Sequence, residues 1–178
     1  MRSKSETYDK HPVSYSIWFM PQGSVQDQLK NVIHSFNTDF GSPIFEPHVT
    51  LVSSFLGNKK DLLQKTENIS KEIKPFVIFF DGIAYLPENF RALFLKVNFS
   101  LKLKTSRNIA CENLRWKDMG YLPHLSLAYG NYSVKVKEKM VSTLDSLPAH
   151  FLANKIFLAH NDEILLKWTI IQGFELGV

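Results

Sequence analysis

Two five-residue stretches that read almost as copies constrain this chain more than any other feature. They are Pro47-His48-Val49-Thr50-Leu51 and Pro123-His124-Leu125-Ser126-Leu127. Each offers a proline, a histidine, an aliphatic residue, a hydroxyl residue and a leucine, the alternation of a half-buried β-strand. Residues two apart on a strand share a face, so His48 sits with Thr50 and His124 with Ser126. One imidazole beside one hydroxyl is commonplace in a strand, but two matched pairs in one small chain point to a paired acid/base site.

The rest of the chain supports one domain. Its 178 residues suffice to bury a core, and 14 phenylalanines favour sheets packed with rings. A formal charge of +4 helps attract phosphate compounds but is too mild to diagnose a nucleic-acid groove. Cys111 is the single cysteine, so no intrachain disulfide and no cysteine cluster for zinc can form. Residues 1–12 read as a loose polar leader without the apolar core of a signal peptide, and His11 within it as a surface residue. No apolar run is long enough to span a bilayer, which predicts a cytoplasmic protein with no membrane partner.

Apolar spacing predicts a strand over 14–20 with Ser16, Trp18 and Met20 on one face, then a helix over 24–36 capped by Ser24 and Asp27. A loop over 37–43, a motif strand over 44–55 and a helix over 61–74 with Asn58 as candidate cap follow. Residues 76–86 read as one strand with a bend at Asp81-Gly82, and 92–97 as its partner. A helix over 101–114 with the stripe Leu101, Ile109, Leu114 leads to the second motif strand, 122–129. A helix over 134–144 and strands over 150–159 and 164–176, linked by residues 160–163, close the chain. His34, His150 and His160 have no hydroxyl partner and read as structural or exposed. The order repeats after residue 97, which predicts an α+β fold of two pseudo-symmetric lobes. Their antiparallel sheets would face a central groove, with helices packed outside. The single bilobal domain spans 13–178.

Three chemistries compete for the paired motifs. A hydrolytic zinc site usually takes a third protein ligand, for which Glu46 is the one same-face candidate. A nucleophilic serine needs a sharp strand-to-helix turn, whereas Ser126 lies along a strand and no Gly-x-Ser-x-Gly is present. Opening a cyclic phosphodiester fits best: one imidazole takes a proton from water and the other protonates the leaving oxygen. The two hydroxyls then donate to the non-bridging oxygens, with no metal or other cofactor.

At these residues the sequence resembles the two-histidine phosphoesterase superfamily, and within it the plant and yeast type of cyclic phosphodiesterase. The supporting stretches are residues 15–21, 41–50 and 121–129, with Leu166-Lys167-Trp168 resembling the family's last strand. The resemblance implies that ADP-ribose 1″,2″-cyclic phosphate and nucleoside 2′,3′-cyclic phosphates are opened, the latter to 2′-phosphates. It implies His48 and His124 as the acid/base pair, His124 activating water and His48 protonating the leaving oxygen. Thr50 and Ser126 would bind phosphate. Tyr129 corresponds to a tyrosine the family keeps near its site, yet five residues from His124 is the wrong parity for a regular strand. It reaches the groove only if the strand bends. Trp18 is a candidate ring for base or ribose, with Phe55 and Trp116 weaker ones. The related 2′–5′ RNA ligase group has an arginine shortly before its second motif, where residues 116–122 offer only Lys117. A small cyclic-phosphate nucleotide is the expected partner. RNA ends, or binding without turnover, are the alternatives. Oligomeric state is not encoded in these patterns.

Overall fold

The computed structural model describes residues 14–117, 120–162 and 167–178. The expected leader, His11 and Leu166 lie outside them. The strands are β1 (Ser14–Phe19), β2 (Val49–Phe55), β3 (Phe76–Ala84), β4 (Leu93–Val97), β5 (His124–Ala128), β6 (His150–Ala153), β7 (Lys155–Asp162) and β8 (Lys167–Glu175). Among the described residues the helices are α1 (Ser24–Phe40), α2 (Lys59–Glu72), α3 (Leu101–Leu114) and α4 (Val134–Ser142), with a 3₁₀ turn at Asn89–Arg91.

The strands form one 8-stranded antiparallel sheet in the order β6-β3-β4-β5-β2-β1-β7-β8. The expected α+β fold with two similar lobes is present, its lobes being the two halves of this curled sheet. They meet at β2 and β5, joined through the single pair Val49↔Leu125. Read outward from that seam, β2 matches β5, β1 matches β4 and β7 matches β3. The first unit is therefore strand-helix-strand-helix-strand, with β3 crossing to pair with β4; the second inserts β6, which pairs with β3, before β7 crosses to pair with β1. Residue 97 is not the boundary of the repeat: β4 opens the second unit rather than closing the first.

Local chemistry explains most element ends. Leu29, Ile33 and Phe36 form the buried stripe of α1. Gly41 ends it at φ 70, a left-handed value, and Ser42 N–H closes back on the Phe36 carbonyl at 3.2 Å. The helix thus runs through 37–40, where a loop was expected. Its start carries no side-chain cap, because Gly23 rather than Ser24 occupies the capping position. Asn58 does cap α2, accepting from Lys60 N–H at 2.9 Å. The bend in β3 is a register shift between Phe80 and Ile83, with Gly82 at φ 78.

In α3 the buried face is Leu103, Ser106, Arg107 and Ala110, one stripe at helical spacing, while Leu101 is 78% exposed. Of the expected stripe, Ile109 and Leu114 are partly buried against the core and only Leu101 turns away; the face they border is completed by Leu103, Ser106, Arg107 and Ala110. β7 runs through Asp162, so residues 160–162 are strand, not the expected link. His34 and His150 are exposed, and His160 packs its ring 5.8 Å from Tyr15. Among the described residues, no helix is long and apolar enough to cross a membrane.

Candidate active site

Everything at the site follows from the seam. The pair Val49↔Leu125 turns both side chains into the core, each fully buried. Continuing the antiparallel register one step each way sets His48 opposite Ser126 and Thr50 opposite His124. Alternation then puts all four on the other face. There they line one cavity of about 570 Å³, so the structure brings together the two histidines and two hydroxyls.

The imidazoles are held alike. His48 Nδ1 lies 2.7 Å from the Glu46 carbonyl and His124 Nδ1 lies 2.8 Å from the Leu122 carbonyl, each two residues back. A carbonyl only accepts, so each Nδ1 carries the hydrogen. Nε2 is left as the basic nitrogen of the neutral ring. Burial pushes His48 down from 6.5 to about 4, with the nearby His124 adding to the fall and the Glu46 bond opposing it. Burial also lowers His124, and Arg91 lowers it further, against the Leu122 bond and Glu88. The resting site therefore holds two neutral imidazoles at pH 7.

Trp18 stands beside this pair. It is paired with Thr50 across β1 and β2, lies nearly flat on the His48 ring and is 2% exposed. Tyr129 reaches the cavity because β5 carries the bend that its parity required. Leu93 pairs with Ala128 but Phe94 with Ser126, which inserts one residue and reverses the faces beyond it. Its ring stacks on Phe45 at 4.0 Å, and its hydroxyl is hydrogen-bonded to the Ser126 side chain. Burial raises the phenol to about 12, against the lowering effect of the Ser126 contact, so it stays protonated. Ser126 in turn donates to the Phe90 carbonyl at 3.1 Å.

The two weaker aromatic candidates go elsewhere. Phe55 sits in the main core, 4% exposed, and Trp116 packs against that same core. Glu46 meets His48 through its carbonyl, since β2 starts only at Val49 and strand alternation does not extend back to it. Its carboxylate is engaged by Lys30 at 2.9 Å and Gln26 at 3.3 Å.

Several lining residues escaped sequence reasoning. Trp168 on β8 and Asn161 on β7 wall the cavity from the far lobe, and Asn161 accepts from Ser16 at 2.9 Å. Arg107 and Tyr121 brace β2 from below: Arg107 donates to the Leu51 carbonyl and Tyr121 to the Thr50 carbonyl at 2.8 Å. Their own groups stack, guanidinium on ring, at 4.0 Å. The helical spacing 103, 106, 107, 110 was the one signal that could have turned Arg107 inward. Arg91 enters from the 3₁₀ turn between the strands read at 76–86 and 92–97, a segment with no apolar period to mark it.

Comparison with known proteins agrees with this geometry. The sequence model described as "Cyclic phosphodiesterase-like protein" matches residues 13–176. A cyclic phosphodiesterase of Arabidopsis thaliana is 22% identical over 156 residues, 83% of this chain and 85% of that protein. A 2′,3′-cyclic-nucleotide 3′-phosphodiesterase of Saccharomyces cerevisiae is 45% identical over 56 residues, 30% of this chain and 23% of that protein. E. coli LigT complexed with 3′-AMP shares the fold with a TM-score of 0.63 at 10% identity, covering 94% of this chain and all of that one (100%). The protein TT0787 of Thermus thermophilus shares it with a TM-score of 0.62 at 16% identity, covering 92% and 98%. The chain belongs to the cyclic phosphodiesterase-like protein family, and with it to the phosphodiesterases of the two-histidine phosphoesterase superfamily.

Proposed function

We propose that this phosphodiesterase opens nucleoside 2′,3′-cyclic phosphates, to 2′-phosphates, and ADP-ribose 1″,2″-cyclic phosphate. One observation carries the reading: the single pair Val49↔Leu125 sets His48, Thr50, His124 and Ser126 on one face of one cavity. The names of the Arabidopsis and yeast relatives support the substrate class.

In this reading the cyclic phosphate lies between the motifs, its non-bridging oxygens receiving hydrogen bonds from Thr50 and Ser126. One imidazole accepts a proton from water as its oxygen bonds to phosphorus. The ring P–O3′ bond breaks, and the other imidazole, protonated, delivers its proton to O3′. That step needs one histidine charged, and the anionic substrate supplies the field that raises both from their depressed resting values. His48, held down to about 4, is the harder to charge. This favours His48 as the base and His124 as the acid, the reverse of the assignment implied by the sequence resemblance. Tyr129 steadies Ser126, and Trp18 backs His48 where it also meets the ribose or base. The chain acts as one domain over 13–178, in the cytoplasm, without a metal or other cofactor.

The test is incubation with adenosine 2′,3′-cyclic phosphate and ADP-ribose 1″,2″-cyclic phosphate in EDTA, with phosphorus NMR of the products. Ring opening to a 2′-phosphate bears the reading out. Intact substrates that nevertheless bind would make the chain a nucleotide-binding module. Activity confined to RNA termini would make it an end-processing enzyme.

A further inference from the structure

The described lining of the cavity holds two guanidinium groups, Arg91 and Arg107, and no carboxylate. Arg107 is buried against Tyr121 and bonded to the Leu51 carbonyl, so it braces β2. Arg91 is placed differently. It is half-buried on the 3₁₀ turn, and its Nε and Nη2 both reach the same carboxylate oxygen of Glu88, Nε at 2.8 Å. Glu88 is exposed and is not among the residues that line the cavity. An exposed pair of this kind holds weakly and is easily exchanged. Nε and Nη2 give one edge of the guanidinium to Glu88, while the other edge, Nη1 with the second Nη2 hydrogen, offers in-plane donors that can take a phosphate in two-point fashion.

The position of Arg91 along β5 says which phosphate that is. Phe94 pairs with Ser126, Leu93 pairs with Ala128, and the Asn89 carbonyl accepts from Gly130 N–H at 2.9 Å. The main chain of the turn therefore stands at the Ala128–Gly130 end of the strand, beyond the His124–Ser126 end where the cyclic phosphate would lie. Each strand residue adds about 3.3 Å. The Phe90 carbonyl accepts from Ser126 and the Arg91 charge is felt at His124, so Arg91 shares the cavity with the phosphate clamp while the main chain of its turn is offset along β5. A cavity of about 570 Å³ has room for a whole nucleotide.

We propose that Arg91 is a specificity-determining residue that exchanges Glu88 for a second anionic group of the substrate, the 5′-phosphoryl group on the ribose that carries the cyclic phosphate. The assignment rests on the cyclic phosphodiesterase reading. Glu88 is the resting counter-ion: it spares Arg91 an unpaired charge in the empty cavity and sets the threshold a ligand must exceed. A bare nucleoside cyclic phosphate engages only the four motif groups, whereas one bearing a 5′-phosphate or pyrophosphate engages Arg91 as well.

Calorimetric binding of adenosine 2′-phosphate and adenosine 2′,5′-bisphosphate tests this without relying on turnover. The unsubstituted protein should bind the bisphosphate about tenfold more tightly, the scale of one charged hydrogen-bonding contact. Arg91→Gln should bring the ratio near one, Arg91→Lys should restore part of it, and Glu88→Gln should widen it. Hydrolysis of adenosine 2′,3′-cyclic phosphate with and without a 5′-phosphate should show the same pattern in KM. Equal affinities in the unsubstituted protein would overturn the assignment. So would a ratio that survives Arg91→Gln, or a loss in that variant shared equally by both ligands. Intact binding ratios with no ring opening would refute the hydrolase reading and leave Arg91 as the second-anion site.

Discussion

The indole of Trp18 lies on the imidazole of His48, ring centres 3.8 Å apart and planes 13° from parallel. The contact follows from β1 and β2 pairing at Trp18↔Thr50, which hangs the indole over the residue just before the strand. An aromatic face on one side and the Glu46 carbonyl on Nδ1 fix both the plane and the tautomer of the ring. That same cover excludes water, which is why burial is the largest cause of the depressed pKa.

Removing the indole should therefore change the acid limb of the rate profile. Trp18→Ala admits water to His48, lessens desolvation and moves its pKa upward from about 4 toward 6.5. Trp18→Phe keeps part of the cover and should shift it less. The measurement is titration of the His48 ring protons by NMR beside kcat/KM against pH. An unmoved His48 in Trp18→Ala would show that the indole does not desolvate it.

Tyr129 should matter to rate more than to stability. Its hydroxyl is hydrogen-bonded to Ser126, which donates to the Phe90 carbonyl and, in the proposed reaction, turns to the phosphate. Tyr129→Phe deletes that hydroxyl but keeps the ring on Phe45. Turnover should fall roughly five- to tenfold, the worth of about one hydrogen bond, with the thermal midpoint little changed. A large drop in the midpoint with normal turnover in the folded fraction would assign the hydroxyl a structural role instead.

The readable parts of this chain were those governed by short-range pattern. Proline-histidine-aliphatic-hydroxyl spacing identified His48, Thr50, His124 and Ser126, because strand alternation needs only neighbouring residues to be known. Asn58 was legible as a cap for the same reason. Unreadable were the residues delivered by long-range pairing. Trp168 and Asn161 reach the cavity only because β7 crosses to pair with β1 and brings β8 with it. Arg107 was hidden by charge: a helix face was scored by apolar residues, yet this arginine buries its stem and spends its donors on β2. Tyr129 depended on one inserted residue in β5, which leaves no mark in a five-residue motif.

The depressed histidines also make the fold acid-sensitive. His48 takes up its proton near pH 4 when folded and near 6.5 when unfolded. Between those values the unfolded chain binds more protons, so stability is complete above 6.5 and falls as pH drops toward 4. His124 is shifted the same way and adds to the slope. The share of His48 is at most about 3 kcal/mol. Urea unfolding at pH 7 and pH 4.5 should show the loss, and His48→Gln should reduce it. An equal loss in that variant would place the acid sensitivity elsewhere.

The division of labour between the histidines can be read from the leaving group. Replacing either His48 or His124 by Ala should lower hydrolysis of a 2′,3′-cyclic phosphate about 10²- to 10⁴-fold with the fold intact. The double variant should lose little more than the worse single one, since the two act in one proton inventory. A p-nitrophenyl phosphodiester departs without being protonated, so it needs the base but not the acid. With His124 as acid, His124→Ala should recover most of its activity on that substrate while His48→Ala stays inactive. The opposite pattern would make His48 the acid, and no rescue of either would mean that neither histidine protonates the leaving oxygen. Both imidazoles present their Nδ1 hydrogens to carbonyls two residues back. The two roles must therefore be separated by their surroundings: Trp18 closes over His48, while Arg91 and Glu88 exert their opposed charges on His124.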